Sequence, residues 1–172
     1  RLLKIMNRHY DKEQYLALAK RIQEEIPDIG MTTDIIVGFP GETEEDFMET
    51  VDVVQKVGYD SAFTFIYSKR TGTPAASMEN QVPEVEVKCH FDRLLREVQD
   101  ISTKKAMALE GKVMPVLVEE MNEHDASLVT GRLDNNSVVH FPGTKDMIGN
   151  IYQVKLKECK GFYYIGKVVE HE

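Results

Sequence analysis

The run Thr32-Thr33-Asp34-Ile35-Ile36-Val37-Gly38-Phe39-Pro40-Gly41-Glu42-Thr43 sets two carboxylates, two glycines and a proline around what reads as the end of a β-strand. Asp34 interrupts an otherwise apolar strand, and a carboxylate turned inward there is costly unless it meets a partner or a ligand. Gly38 and Gly41 permit backbone angles and close approach that a side chain forbids. In α/β folds, ligands collect at such carboxyl ends of strands, above the turn into the next helix. The pattern is not a phosphate loop, since no Gly-Lys-Ser/Thr follows, and it is not GxGxxG. A second polar loop, Ser68-Lys69-Arg70-Thr71-Gly72-Thr73-Pro74, offers two cations placed to meet an anion.

The elements around these residues follow from periodicity. Asp11 with Gln14 makes a cap for a helix over 11–25, with Leu16, Ala19, Ile22 and Ile26 at helical spacing. Ile35, Ile36 and Val37 read as a strand at about 31–37 buried on both faces. Thr43 and Asp46 form a capping box for a helix over 44–57, whose buried stripe is Phe47, Val51, Val54 and Val57, with Gly58 as its stop. Ala62-Phe63-Thr64-Phe65-Ile66-Tyr67 is a second strand, so the unit is βαβ with parallel strands and a right-handed crossover. The loop 68–74 then lies on the same rim as 38–42. A long helical pattern over 84–109 follows, carried by Val87, Phe91, Leu94, Val98, Ile101 and Leu109.

From Lys112 the period changes to short alternating strands, at 112–119, 127–133, 137–141, 150–158 and 162–169, separated by turn residues. Five short strands in about sixty residues predict a small closed β-barrel. The division is therefore 1–109 as an α/β domain and 110–172 as a small all-β barrel.

Composition narrows the function classes. The 172 residues are 42% hydrophobic and 29% charged, ordinary for a globular protein. No apolar run reaches the ~18 residues that span a bilayer, and the first residues lack a signal-peptide core. Beginning on Arg1, the sequence reads as a fragment or a processed product, and a cytoplasmic monomer is expected. Cys89 and Cys159 stand far apart without a CxxC spacing, which predicts reduced structural thiols and no metal site; His90 beside Cys89 points to another side of its helix. The net charge is −8. Residues 1–109 carry 14 basic against 19 acidic side chains, and 110–172 carry 7 against 10. A strongly basic nucleic-acid footprint is absent.

Four blocks resemble one family: Leu3–Tyr10 (LKIMNRHY), Thr33–Thr43 (TDIIVGFPGET), Ala62–Tyr67 with Thr71–Ala75, and Thr130–Gly143 (TGRLDNNSVVHFPG). They are similar, in order and across the chain, to the MiaB-type radical S-adenosylmethionine (SAM) tRNA methylthiotransferases. The resemblance implies the C-terminal portion of a radical-SAM partial (β/α) barrel followed by a five-stranded, OB-like TRAM β-barrel. It implies a parent enzyme that adds a methylthio group to C2 of isopentenylated adenosine beside the tRNA anticodon, using SAM and two 4Fe-4S clusters. It also implies a tRNA anticodon stem-loop as partner. The CxxxCxxC motif and the auxiliary-cluster cysteines are missing, so this chain alone holds neither cluster, contributes no catalytic cysteine and is expected to be inactive. Its expected share is part of the SAM pocket, from Arg8, Asp34, Gly38, Pro40, Gly41, Glu42, Phe65 and Tyr67. Arg8 is the partner expected for the SAM carboxylate or an RNA phosphate, and one pair among Phe63, Phe65, Ile66 and Tyr67 should face the barrel interior beside the adenine. The RNA-binding set is Lys69, Arg70, Arg132, Asn135, Asn136, His140 and Phe141, with the last five around one hairpin. Asn135 and Asn136 also suit a plain hairpin turn. Two alternatives stay open: a RimO-like enzyme acting on a ribosomal protein, favoured by the acidic barrel, and a stand-alone RNA- or protein-binding module.

Overall fold

The computed structural model describes residues 1–169. The chain forms two compact units, Arg1–Ser102 and a second that begins at Thr103.

The first unit starts with a short helix α1 (Leu2–Ile5) and the helix α2 (Lys12–Glu25), then alternates β1 (Thr32–Val37), α3 (Glu44–Val57), β2 (Ser61–Ile66), a 3-10 turn at Pro74–Ser77 and α4 (Glu84–Met107). Both capping boxes form. The Asp11 carboxylate accepts from the Gln14 amide at 2.8 Å, and the Thr43 hydroxyl accepts from the Asp46 amide at 3.3 Å. The two strands are parallel, in register from Thr32 opposite Ser61 to Val37 opposite Ile66. Parallel strands need a crossover, and α3 provides it. Phe47, Val51, Val54 and Val57 bury the stripe of α3 against Ala19, Val37, Tyr59, Leu94 and Val98. Phe47 and Leu94 are fully buried, each stabilising the unit by about 1.5–3 kcal/mol relative to exposure.

One expectation for this unit fails. β1 is buried on one face only: Ile35 and Val37 pack toward the helices, while Thr32, Asp34 and Ile36 are exposed. Among the described residues the sheet has only these two strands, so no further strand or layer covers the other face. Asp34 is therefore solvated and carries no burial cost.

The second unit is a closed barrel of β3 (Val113–Met121), β4 (Leu128–Arg132), β5 (Val138–Pro142), β6 (Ile151–Cys159) and β7 (Tyr163–Val168), in the spatial order β3-β4-β5-β7-β6. All neighbours are antiparallel except β5 and β7, which pair in parallel from Val138 opposite Tyr163. Register shifts at Val118/Glu120 and at Leu156/Glu158 bend the two longest strands and let so small a sheet close. The core is Val116, Val118, Val129, Leu133, Val139, Phe141, Val154, Leu156 and Tyr164. The Tyr164 hydroxyl donates to the Ala106 carbonyl at 2.9 Å.

Candidate functional site

In the first unit a cleft of about 1320 Å3 is walled by α1, α2, α3, the exposed face of β1 and the end of β2. Arg8, Asp34, Glu42, Phe65 and Tyr67 of the expected cofactor set line it, and Arg70 of the expected RNA set joins them. Arg8 and Arg70 make no ion pair with any described residue, so both guanidinium groups are available to an anion. Asp34 offers a free carboxylate, and Ile36 beside Phe65, its register partner, offers an apolar wall. Phe65, Ile66 and Tyr67 all line the cleft, because β2 ends at Ile66 and strict alternation ends with it. The Tyr67 ring sits edge-on to Phe39, with centroids 5.4 Å apart. Its hydroxyl is the one buried side-chain polar atom among the described residues without a hydrogen-bond partner. Leaving such a group unpaired costs about 1–3 kcal/mol, which a partner atom in the cleft would recover.

Gly38, Pro40 and Gly41 do not line the cleft, contrary to expectation. The turn after β1 is pressed against the segment 80–90 instead. Gly38 has φ +76, and a Cβ there would lie 2.7 Å from both Val87 methyls. Gly41 has φ +80; its N–H donates to the Asn80 carbonyl at 2.8 Å, and Asn80 fills the space a side chain would need. Pro40 is fully buried. The glycines thus serve the packing of the turn, and the Gly38 N–H is already taken by Glu42 Oε1 at 3.0 Å. On the open side, Arg1 donates to the Gly41 carbonyl at 2.7 Å and pairs with Asp46.

Glu42 reaches the cleft wall but is tethered behind it. Its Oε1 also meets His90 Nδ1 at 2.9 Å, and His90 Nε2 meets Glu44 Oε2 at 3.0 Å. Arg93 donates to both Glu44 oxygens, at 2.8 and 2.9 Å, which holds the Glu44 carboxyl below its ordinary range, with His90 adding to the effect. The His90 ring stacks on Phe47 at 4.2 Å and 5°, and Arg93 sits 4.8 Å from the same phenyl centroid. Val87, His90, Leu94 and Val98 are spaced as one helical face, which puts His90 among the buried residues of α4 rather than beside Cys89 as a ligand.

On the barrel, the expected RNA set divides. Phe141 points into the core and is fully buried, so it presents nothing to a ligand. Asn135 and Asn136 build the turn: the Asn135 side chain accepts from the Ser137 amide at 3.0 Å, and Asn136 adopts φ +68. Arg132 is held between Glu119, at 2.9 Å, and the Asn136 carbonyl and side chain, at 3.2 Å each. Lys69 is exposed in its loop.

His140 is the best-defined polar group of this set. The Asn122 side-chain oxygen accepts from the His124 and Asp125 amides, which turns its NH2 toward His140 Nδ1 at 3.1 Å. The Thr130 hydroxyl lies 3.0 Å from the same nitrogen. Nδ1 is therefore the acceptor, and the ring is neutral with its proton on Nε2, which has no partner among the described residues. Burial, with His124 nearby, moves His140 below the ordinary histidine range, in keeping with a neutral ring. Tyr163 packs against it at 4.9 Å. The adjacent Phe162, in the turn before β7, is 94% exposed. Its one signal in the sequence is that a phenylalanine after Lys160-Gly161 stands where a polar turn residue is usual.

Two family models match the chain. The radical SAM superfamily matches residues 1–54 and the TRAM domain matches 108–169. Over 169 residues the chain is 63% identical to the "tRNA-2-methylthio-N(6)-dimethylallyladenosine synthase" of Lachnoclostridium phytofermentans, covering 98% of this chain and 37% of that protein. Proteins of the same name from Clostridium botulinum strain Eklund 17B and Clostridium beijerinckii are 53% and 51% identical, with the same coverage. The chain belongs to the MiaB family. It spans little more than a third of the length of the family members it matches. The radical-SAM match takes in α1, α2, β1 and most of α3, and the TRAM match takes in all five strands of the barrel. Among the described residues no group of three His, Cys, Asp or Glu side chains is arranged to hold a metal. Cys89 and Cys159 are free, one exposed on α4 and one at the end of β6. No described helix is long and apolar enough to cross a membrane.

Proposed function

We propose that this chain is the part of a tRNA methylthiotransferase that completes the SAM pocket and carries the RNA-gripping barrel. The identity of 63% over 98% of the chain to a protein named as a tRNA-2-methylthio-N(6)-dimethylallyladenosine synthase carries this reading. The parent enzyme adds a methylthio group to C2 of an isopentenylated adenosine in the tRNA anticodon loop, working as a soluble, cytoplasmic monomer with SAM and two 4Fe-4S clusters.

The cleft supports the SAM half of that reading. The orphaned Tyr67 hydroxyl, the free Arg8 guanidinium and the free Asp34 carboxylate are complementary to a ligand with a carboxylate, an ammonium and hydroxyls. Arg8 would hold the carboxylate, Asp34 the ammonium or ribose, and Phe65 with Ile36 the adenine. SAM, when bound, supplies the methyl group and, with a cluster held by residues outside this chain, the radical. The chain's own residues bind and orient it; Glu42, tied to His90, holds the wall and does not bind SAM. Arg70, on the same cleft, is the side chain placed to meet RNA.

The barrel grips RNA by stacking and base-edge contacts more than by charge. His140 presents one fixed N–H donor, Tyr163 backs it, and Phe162 offers a bare ring. Such a surface suits a splayed loop base and fits an acidic barrel. Lys69, Arg132, Asn135 and Asn136 take supporting parts. Mass spectrometry of tRNA nucleosides from cells lacking the gene tests the reading. Loss of 2-methylthio-isopentenyladenosine with accumulation of the unthiolated nucleoside is expected. Unchanged tRNA would overturn it and direct the search to a methylthiolated ribosomal protein.

A further inference from the structure

The segment 80–90 does more than pack against the turn after β1. His90, only 4% exposed, stands between two carboxylates, Glu42 from the turn at 2.9 Å and Glu44 from the first turn of α3 at 3.0 Å. Each short contact needs one proton between nitrogen and oxygen, and an imidazolium supplies an N–H to both. Both nitrogens make such a contact. With Arg93 on Glu44, the four groups Glu42, His90, Glu44 and Arg93 then sum to zero charge when the ring is an imidazolium. An imidazolium beside it offsets the cost of burying a Glu42 carboxylate.

We propose that His90, protonated on both ring nitrogens, is a positioning residue that fixes the turn 38–42 through Glu42. The chain of contacts is direct. His90 Nδ1–H holds Glu42 Oε1, and the same oxygen accepts the buried Gly38 N–H at 3.0 Å. Phe47 stacks on the ring and fixes its plane. The remaining face of the pocket is closed by Val87, one helical turn earlier, which meets Gly38. Removing the proton from Nδ1 would set two lone pairs against each other, push Glu42 away and leave the Gly38 amide buried without an acceptor. The charged groups that face the ring are Glu42 from the turn, Glu44 from α3 and Arg93 from its own helix, and none of the three can replace the lost N–H donor to Glu42. Because Glu42 and Phe39 form one wall of the cleft, release of the turn alters the wall against which a ligand lies. That last consequence rests on the reading of the cleft as a SAM pocket; the clamp itself does not.

The test uses nitrogen-15 NMR of the chain with labelled histidine, read together with the exchange rate of the Gly38 amide. Two protonated nitrogens on His90 are expected in the folded chain. His90→Phe keeps a ring on Phe47 but loses both donors, and should speed Gly38 exchange at least tenfold while the Val54 amide in α3 keeps its protection. His90→Arg restores donors to both carboxylates and should restore most of the protection, which a purely space-filling role would not do. A singly protonated His90 with a protected Gly38, or unchanged Gly38 exchange in His90→Phe, overturns the proposal. If His90→Phe does not fold, the wild-type spectra and the His90→Arg chain decide. Titration with SAM on the same sample separates the two ideas: shifts at Phe65 and Tyr67 support the cleft assignment, whereas the Gly38 exchange rates bear on the clamp alone.

Discussion

Gly38→Ala is the substitution whose cost the structure specifies most closely. Two separate penalties act at this position. The first is backbone: φ is +76, in the left-handed region, where an L-residue with a Cβ costs about 1–2 kcal/mol. The second is steric: the new methyl would lie 2.7 Å from both Val87 methyls, and overfilling a packed site costs about 1–3 kcal/mol. The sum is about 2–5 kcal/mol, a large part of the stability of a unit this size. Val87→Ala removes the steric penalty and leaves the backbone one. The double variant Gly38→Ala/Val87→Ala should therefore recover about 1–3 kcal/mol relative to the sum of the single changes. Urea unfolding followed at 222 nm is the assay, since all four helices begin in the first unit. A Gly38→Ala cost under about 0.5 kcal/mol would refute the backbone argument. Additive single and double variants would refute the contact with Val87.

Two further predictions concern the barrel. Burial lowers the folded-state pKa of His140, so the unfolded chain takes up the proton more readily. The contribution of His140 to stability is then complete above about pH 6.5, the unperturbed value, and is lost as pH falls through the lower folded-state value. His140→Gln should flatten the decline in barrel stability between about pH 7 and 5, and parallel pH profiles for the two chains would count against the neutral Nε2–H ring. Phe162→Ala should change the melting temperature little, because the ring is 94% exposed, yet weaken binding of an unpaired RNA loop by about 1–3 kcal/mol in fluorescence anisotropy. Phe141→Ala, fully buried, should do the opposite and cost about 3–5 kcal/mol of stability. Equal RNA affinity with and without the Phe162 ring removes it from the interface.

What the sequence made legible was the local chemistry. Asp11 with Gln14 and Thr43 with Asp46 signal their helix starts because a capping box is complete within four residues. The parallel pair and the five barrel strands follow from period and spacing. The core position of Phe141, against the RNA-facing role expected of it, is legible in the alternation along Val138–Pro142, which puts it on the face opposite His140, beside Val139. The exposure of Asp34 and Ile36 was not readable, since it depends on which strands and layers pack on β1, and that is not a local property. His90 was hidden for a related reason. Its partners lie 48 and 46 positions away, and beside Cys89 it invites a metal reading that its helical face does not support.

The parallel pairing of β5 with β7 constrains how the barrel comes into being. Of the five barrel strands β7 is made last, and it closes the ring by pairing with both β5 and β6. Until Val168 has emerged, β5 and β6 each keep an open edge, and β3 can pair only with β4 and β6. The ring is therefore completed after synthesis of nearly all its residues, through contacts distant in sequence, which places it among the slower topologies to fold. A chain stalled or clipped before Tyr163 would present two sticky edges at once, and edges of this kind are where nascent chains join one another.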